Sequence, residues 1–496
     1  MNRTDKHVID SSDFRAIRSG IAAIPGDVSS DALGQYVAKL DDIYAPERHA
    51  AALDPATPIV VGSRGTGKSF WASTLGQSDT RLELQRAYPK LGLGTVQVAF
   101  GYTGVGRDEE GGVTAEHINK SVPANAGPDV AMAFWWATVL RAVSYTEGRP
   151  SKNIVELVKT AVDLETREKT LSHGDRRLLA DGKTLLVVYD ALDTVAISWP
   201  RRRLLTEALL RVVWAMRAYR TIKLKLFLRP DQIDDDQLRY VELPKLRTGA
   251  VRLEWTANDL YGLLYARLAL TAEADANAAF QKLLGTMGIE KGTRDSILAR
   301  RWILSHDSRE QARLMTALSG QYMAAGAFGY KKGRTYDWPV THLADAFHEV
   351  TPRSFLGLMI AAAKYGAPPP DRVITPEGIR HGLRAASKTR VDQLHQDFQW
   401  IKGVLAPLAG LLLPQEEKEV IGVWQKGRTV QTLLQDAKAN RYLPPFPREG
   451  ESRESDLLAA LVNIGVMFRR KDARIDMPDL FRVAAKLLKK GGTAPV

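Results

Sequence analysis

The chain has no cysteine in its 496 residues. That excludes disulfides, zinc ribbons built on thiolates and any thiol nucleophile. The nine histidines show no spacing that reads as a metal site. Long apolar runs are missing too: the longest, residues 404–413, is interrupted by Pro407 and is too short to cross a bilayer. Met1-Asn2-Arg3-Thr4-Asp5-Lys6 opens a polar stretch without the apolar core of a secretory signal. Together these absences predict a soluble chain of the cytoplasm with no membrane partner. No internal repeat is visible.

What the chain does have is ordinary in amount. Hydrophobic residues make up 45% and charged residues 25%, as in soluble globular proteins, and the length suffices for several domains around large cores. The net charge of +12 favours polyanionic partners, nucleic acid ahead of an anionic membrane surface. Nucleotide sites and solvated helices also use Lys and Arg, so charge alone does not choose between these.

The sharpest signal is Gly62-Ser63-Arg64-Gly65-Thr66-Gly67-Lys68-Ser69, which fits G-x-x-x-x-G-K-[ST]. Pro58-Ile59-Val60-Val61 before it reads as the end of a buried strand, and Phe70-Trp71-Ala72-Ser73-Thr74-Leu75 after it as a helix start. Strand, loop and helix are the context a phosphate-binding loop requires. Its glycines let successive backbone N–H groups turn inward around a β-phosphate, and the helix N-terminus adds partial positive charge. Gly62, Arg64, Gly65, Thr66, Gly67 and Phe70 are therefore candidate nucleotide contacts. Lys68 would reach the β- and γ-phosphates, and the Ser69 hydroxyl would ligate Mg²⁺. The plainer alternative is a Gly-rich turn carrying a chance lysine.

Strands and helices alternate from about residue 55 to 255, after which the pattern turns nearly all helical. Candidate strands are 57–62, 94–100, 184–190, 223–229 and 250–255, short runs rich in Val, Leu and Ile, as a covered parallel sheet demands. Between the second and third lies a long excursion. Its first part, 104–127, is Gly- and charge-rich and reads as mobile; its second, 130–142, carries Phe134, Trp135 and Trp136 and reads as a buried helix. A basic helix, 201–220, follows the third strand. Residues 331–337 read as a loop, with a helix near 343–347. Pro368-Pro369-Pro370 is a stiff connector and the best linker candidate. A helix at 457–464, a hairpin at 466–477 and a helix from Pro478 suggest a winged-helix-like module.

The domain reading is an α/β P-loop core with a central parallel sheet over 1–255, including an insertion at about 103–180. A helical lid follows over 256–366, and a helical C-terminal domain with the winged-helix-like module over 371–496.

Leu185-Leu186-Val187-Val188-Tyr189-Asp190-Ala191-Leu192-Asp193 supplies the carboxylate that a phosphate loop needs for Mg²⁺. Asp190 emerges at the strand's carboxyl end, and Asp193 follows at a spacing suited to holding or deprotonating an attacking water. An Asp cap at a strand end is the bland reading. Leu226-Phe227-Leu228-Arg229-Pro230-Asp231 ends the next strand and puts Arg229 on the same sheet edge, either sensing the γ-phosphate or paired with Asp231 or Asp234. Arg353, at the helix start Thr351-Pro352-Arg353, is a second nucleotide-responsive candidate. Arg247 is a weaker candidate for reaching a neighbouring subunit, and the arginines at 201, 202, 203, 217 and 220 suit a solvated or partner-facing surface.

Taken together these residues resemble the AAA+/STAND branch of P-loop ATPases, bacterial members in particular. Residues 62–69 stand as Walker A, 186–193 as an hhhhDxxD Walker B, and Phe227-Leu228-Arg229 as a sensor-1 strand. An arginine there looks like NACHT, NB-ARC and KAP-type proteins more than like AAA+ unfoldases. Thr351-Pro352-Arg353 looks like the sensor-2 region of origin-recognition-type proteins, and 474–482 like the winged-helix end of bacterial ATPases of this group. The resemblance covers roughly the first 365 residues by motif. Two departures stand out. Ala191 replaces the acidic residue usual in AAA+ Walker B motifs, and Ser69 and Asp190 are much further apart than one strand–helix–strand unit requires.

The resemblance implies ATP and Mg²⁺ as ligands, Lys68, Asp190, Asp193, Arg229 and Arg353 as the working side chains, a homo-oligomer, and a separate effector protein. Three functions remain open at this stage. One is an ATP-hydrolysing switch that drives a partner in anti-phage defence or genome maintenance. Another is a loader or transposition regulator that grips duplex DNA through the C-terminal module, where 466–496 carries eight Lys/Arg against three Asp. The third is a small-molecule kinase, against which the large helical region argues.

Overall fold

The computed structural model describes residues 9–26, 38–104, 112–148, 153–196, 199–233, 238, 240–440, 442, 444–446 and 453–495. The chain divides into two compact units, Val28–Glu254 and Met1–Asp27 together with Trp255–Val496.

In the first unit five strands form one sheet: β1 (Ile59–Val61), β2 (Val96–Tyr102), β3 (Thr184–Tyr189), β4 (Ile222–Leu228) and β5 (Val251–Arg252). Each overlaps the run that the apolar pattern marked, β2 extending two residues past it and β4 starting one residue before it. The order is β2-β3-β4-β1-β5, and every neighbouring pair is parallel. A sheet of this kind must be covered on both faces, which is why β1 and β3 read as nearly unbroken apolar runs and β4 ends in one after two lysines.

The long excursion between β2 and β3 is a folded part of this unit. Helix Pro128–Thr146 is buried almost all round, as a helix apolar on every side must be. Phe134, Trp135 and Trp136 join one core with Leu185, Val187 and Tyr189 of β3 and Leu224, Leu226 and Leu228 of β4. The Trp135 indole donates to Leu205 O at 2.8 Å, tying this helix to Trp199–Ala215. Side chains alternate across a strand, so Val60, Leu186, Val188 and Phe227 face the other way. Helix Lys68–Gly76 packs there, close enough that a Cβ on Gly76 would lie 2.2 Å from the Phe100 ring. Within 104–127, read as mobile from its glycines and charges, Ala115–Ser121 is a helix, because Thr114 and His117 form a capping box. Residues 105–111 lie outside the described residues.

The second unit is mainly helical. Helix Ser11–Ala23 packs on helices Ala274–Thr286 and Pro352–Lys364, so the first residues group with this unit rather than with the sheet. Gly20 allows the approach to Ala276, Lys282 donates to Asp13 at 2.6 Å, and buried Arg18 donates to the carbonyls of Tyr365, Gly366 and Val373. The proline run at 368–370 joins helices Pro352–Lys364 and Pro376–Asp397, which pack against each other inside the unit. The helix expected near 343–347 is Asp337–Leu343: Pro339 falls in its first turn, where proline is tolerated, and Ala344 is already extended. Toward the C-terminus β6 (Leu412–Leu413) pairs in parallel with β9 (Leu488–Lys489). Helix Glu454–Asn463 leads into the antiparallel pair β7 (Phe468–Arg469) and β8 (Ile475–Asp476). The helix after Pro478, Asp479–Arg482, is only one turn long. Among the described residues no helix is long and apolar enough to cross a membrane.

Candidate functional site

The Gly62–Ser69 loop runs from the end of β1 into helix Lys68–Gly76. Gly65 and Gly67 have φ of 89° and 101°, a region that β-carbons disfavour. Gly62 is required for a different reason, because a Cβ there would stand 2.4 Å from Thr66 Oγ1. Buried Thr66 donates to Ser63 O at 2.8 Å and holds the loop closed on itself. Lys68 Nζ folds back to the carbonyls of Gly62 at 2.8 Å and Ser63 at 3.0 Å. Lys68 is half-buried, and desolvation around the ammonium lowers it to about 8, with Asp190 opposing. Ser69 begins the exposed side of the helix, and Phe70 meets Trp71 edge to face at 4.8 Å.

Asp190 lies at the carboxyl end of β3. Strand β4 separates β3 from β1, so the two motifs are not on adjacent strands. The loop nevertheless reaches across: the Ser69 side chain and the Lys68 ammonium both act on the buried Asp190 carboxyl. Burial raises the Asp190 carboxyl, and Ser69, Lys68 and the Ala191 amide pull it back down. Its own amide donates to Tyr102 O at 2.8 Å, fixing the strand end against β2.

Ala191 then takes φ of 53°, and this left-handed step starts the turn Leu192–Thr194 that carries Asp193. The turn is braced by Tyr102, whose hydroxyl is 2.8 Å from Thr194 Oγ1. Asp193 does not stand alone. Arg229 Nη1 approaches its carboxylate at 3.5 Å, while Nε and Nη2 of the same guanidinium take Asp231 in a two-pronged grip at 3.1 and 2.9 Å. The pairing with Asp231 that the sequence allowed is thus present, and Arg229 is one-tenth exposed or less. Asp234, the other partner considered, lies outside the described residues. Arg247 donates to Ile233 O at 2.8 Å, and Arg201 and Arg202 donate to the carbonyls of Val122 and Ala196. Arg353 belongs to the second unit, in the first turn of Pro352–Lys364, where Thr351 caps the helix by accepting from Ser354 N.

One residue of consequence escaped the sequence reading. Lys225, in the middle of β4, is fully buried and donates to the carbonyls of Ala52, Asp54 and Thr57 at 2.8, 2.9 and 2.7 Å. Burial pushes it down to about 7, with Asp54 opposing. It clamps the segment entering β1, and hence the root of the phosphate loop, onto the sheet. Ile-Lys-Leu-Lys-Leu reads as an alternating half-exposed strand, so a buried lysine here has no local signal.

The parallel sheet, the loop with its two left-handed glycines and the helix that starts at Lys68 decide the fold. The first unit is a P-loop NTPase core. No family profile matches the chain, and no curated protein does. Among solved structures, the ORC2 protein of Aeropyrum pernix in its ADPNP–ADP complexes is 14% identical, with 86% of this chain and 84% of that chain covered, at a TM-score of 0.36. A Walker-type ATPase of Pyrococcus abyssi is 11% identical, with 92% and 97% covered, at a TM-score of 0.37. Likeness this loose transfers nothing, and the fold rests on the strands and loop themselves.

Proposed function

We propose that this protein is an ATP-binding and hydrolysing switch of AAA+/STAND type, whose nucleotide state controls its self-association and a separate effector protein. The observation that carries the reading is a glycine loop with Gly65 and Gly67 at positive φ whose Lys68 and Ser69 act on the buried Asp190 carboxyl, which joins the two motifs in one place. Main-chain N–H groups of 62–69 would take the β-phosphate, Lys68 the β- and γ-phosphates. Ser69 and Asp190 suit Mg²⁺, a hard cation content with one carboxylate and a hydroxyl, and among the described residues no larger cluster of His, Asp or Glu offers a rival metal site. Mg²⁺ would supply charge neutralisation on the phosphate oxygens. Asp193 would orient the attacking water, held in place by Arg229, which would release it or follow the γ-phosphate when nucleotide is present. Arg353 would be the second nucleotide-responsive cation. The effector chemistry would come from the partner; the resemblance implies bacterial anti-phage defence as the setting.

Lys68→Ala is expected to abolish ATP binding, and Asp190→Ala to keep part of the binding while losing Mg²⁺-dependent turnover. Turnover at the wild-type rate in Asp190→Ala would end the reading. Light scattering on apo and ATP-loaded protein, with Lys68→Ala as control, reads the self-association.

The duplex-DNA reading loses support in the C-terminal module. Of its eight basic residues, Arg469 is paired with Glu417, Arg470 and Lys489 with Asp476, Arg474 with Asp472, and buried Arg482 with Asp479. Only Lys471, Lys486 and Lys490 are exposed without such an acid partner among these pairs, too few for a strongly salt-dependent grip.

A further inference from the structure

Residues 320–336 of the second unit form a loop that projects two aromatic rings. Its base is an antiparallel pairing, with the bridge Tyr322↔Arg334 and the bonds Met323 N to Gly333 O and Thr335 N to Gln321 O. Below the base, Thr335 is buried and donates to Gly320 O, and the Tyr336 hydroxyl donates to Gln311 Oε1 at 2.8 Å while its ring stacks on Tyr261 at 4.2 Å. The tip is shaped as firmly as the base. Gly326 and Gly333 take φ of 85° and 90°. Buried Gly329 packs so tightly that a Cβ would sit 2.3 Å from Ala324 O. A 3₁₀ turn, Gly329–Lys332, completes it.

This construction displays apolar rings rather than hiding them. Phe328 is 69% exposed and Tyr330 56% exposed, and Lys331 Nζ lies 4.7 Å from the first ring centroid and 6.0 Å from the second. Lys332 and Arg334 are exposed beside them. Between Glu310 and Asp337 the chain has no carboxylate at all, although it carries Arg313, Lys331, Lys332 and Arg334. A solitary exposed ring is ordinary on protein surfaces. Arg313 and Arg334 at the ends of this stretch pair with Glu310 and Asp337, but two rings held out by three required glycines and interleaved with Lys331 and Lys332 have the chemistry of a base-stacking platform with phosphate contacts.

We infer that the 326–334 loop, through Phe328, Tyr330, Lys331 and Lys332, binds single-stranded nucleic acid. Unpaired bases present the flat faces that the two rings need, whereas a duplex keeps them inside its stack. The lysines take the backbone phosphates. This surface is built from residues of the second unit and the phosphate loop from residues of the first, and its assay needs no nucleotide, so it stands or falls apart from the ATPase reading; running it on Lys68→Ala keeps the two distinct.

Fluorescence anisotropy of the full chain tests it with labelled oligothymidylate and oligouridylate of about 20 nucleotides and a duplex of the same length, at about 50 mM salt and upward. The two single strands tell DNA from RNA as the source of the same chemistry. The wild type is expected to prefer single strands. Phe328→Ala with Tyr330→Ala is expected to weaken that binding about tenfold or more with the salt slope unchanged. Lys331→Ala with Lys332→Ala is expected to reduce the slope by about 1.4, two phosphate contacts' worth for a single strand. Phe328→Leu with Tyr330→Leu keeps apolar bulk but removes the ring faces, and is expected to lose as much as the alanine pair. No single-strand binding by the wild type, full binding by the leucine pair, or equal duplex binding that falls in the same variants would each overturn the inference.

Discussion

Lys68 and Asp190 show how a residue's surroundings set its chemistry. Desolvation lowers Lys68 to about 8, and Asp190 only partly offsets it. Between about 8 and the ordinary lysine value the folded apo chain therefore holds less proton at this site than a free lysine would. A polyphosphate beside the ammonium restores the proton, so ATP binding at about pH 8.5 is expected to take up part of a proton per nucleotide. At about pH 7 the ammonium is already charged and the uptake at this group should shrink toward zero. Calorimetric titrations in buffers of different ionisation heat read both values, and identical heats across buffers at the higher pH would contradict the assignment. Arg229 gives a second prediction at this scale. Arg229→Ala leaves Asp193 and Asp231 without their shared cation, and stability should fall by about 1–3 kcal/mol in chemical denaturation, the range for losing a charged hydrogen-bond partner at a partly screened site. Loss of ATP turnover well beyond that instability would mark Arg229 as more than a brace.

Elements here are locked by contacts that their own sequences barely announce. Lys225 clamps the segment before β1 to β4 through three carbonyls. Lys225→Ala removes all three donors and leaves a cavity, so a loss of about 3–5 kcal/mol is expected, measured by denaturant melts. The pH dependence has a definite sign. With Lys225 lowered to about 7, the unfolded chain binds more proton than the folded one from about 7 up to the ordinary lysine value. The stability contribution of this group accordingly rises with pH across that window and is lost as pH falls back through it; Lys225→Met should lack that slope. In the helical unit, Gly382 lets helices Pro352–Lys364 and Pro376–Asp397 touch, since a Cβ there would lie 2.3 Å from Leu358 O. Gly382→Ala should cost about 1–3 kcal/mol by forcing the pair apart. Gly403→Ala, with nothing within 4 Å of the new methyl, should be neutral or slightly stabilising. Equal melts for the two variants would show that the helix pair is not held by that contact.

At the scale of the whole molecule, chain order and spatial grouping part company. The N-terminal helix Ser11–Ala23 belongs to the unit built from residues beyond 254, across the entire α/β core in sequence. Arg18 is the centre of that attachment, with three backbone carbonyls as acceptors. Arg18→Ala is expected to destabilise the helical unit by about 1–3 kcal/mol while leaving the melting of an isolated 28–254 fragment out of account. Hydrogen exchange on the full chain should then show faster exchange in helices Ala274–Thr286 and Pro352–Lys364 than in β1, β3 and β4. Unchanged protection in those helices would deny the N-terminal helix its structural part. The net charge of +12 is likewise not a uniform coat: in the C-terminal module most of the basic residues are in ion pairs, while in the 311–336 stretch Arg313 and Arg334 pair with the flanking Glu310 and Asp337 and Lys331 lies against the Phe328 and Tyr330 rings.

By itself the sequence determined the five strands, their parallel arrangement and the phosphate loop. These follow from local pattern: short apolar runs rich in Val, Leu and Ile suit strands buried on both faces, and glycines at 65 and 67 can take φ values that other residues resist. The buried helix with Phe134, Trp135 and Trp136 and the Thr351 cap were legible for the same reason. Tertiary structure alone decided that β4 lies between the two motif strands, that Lys68 and Ser69 nevertheless act on Asp190, that Arg229 reaches Asp193 as well as its near neighbour Asp231, and that Lys225 is buried. It also decided which unit the first helix joins. Those outcomes depend on residues far apart in the chain approaching within a few ångströms, and no window of sequence contains both partners of such a contact.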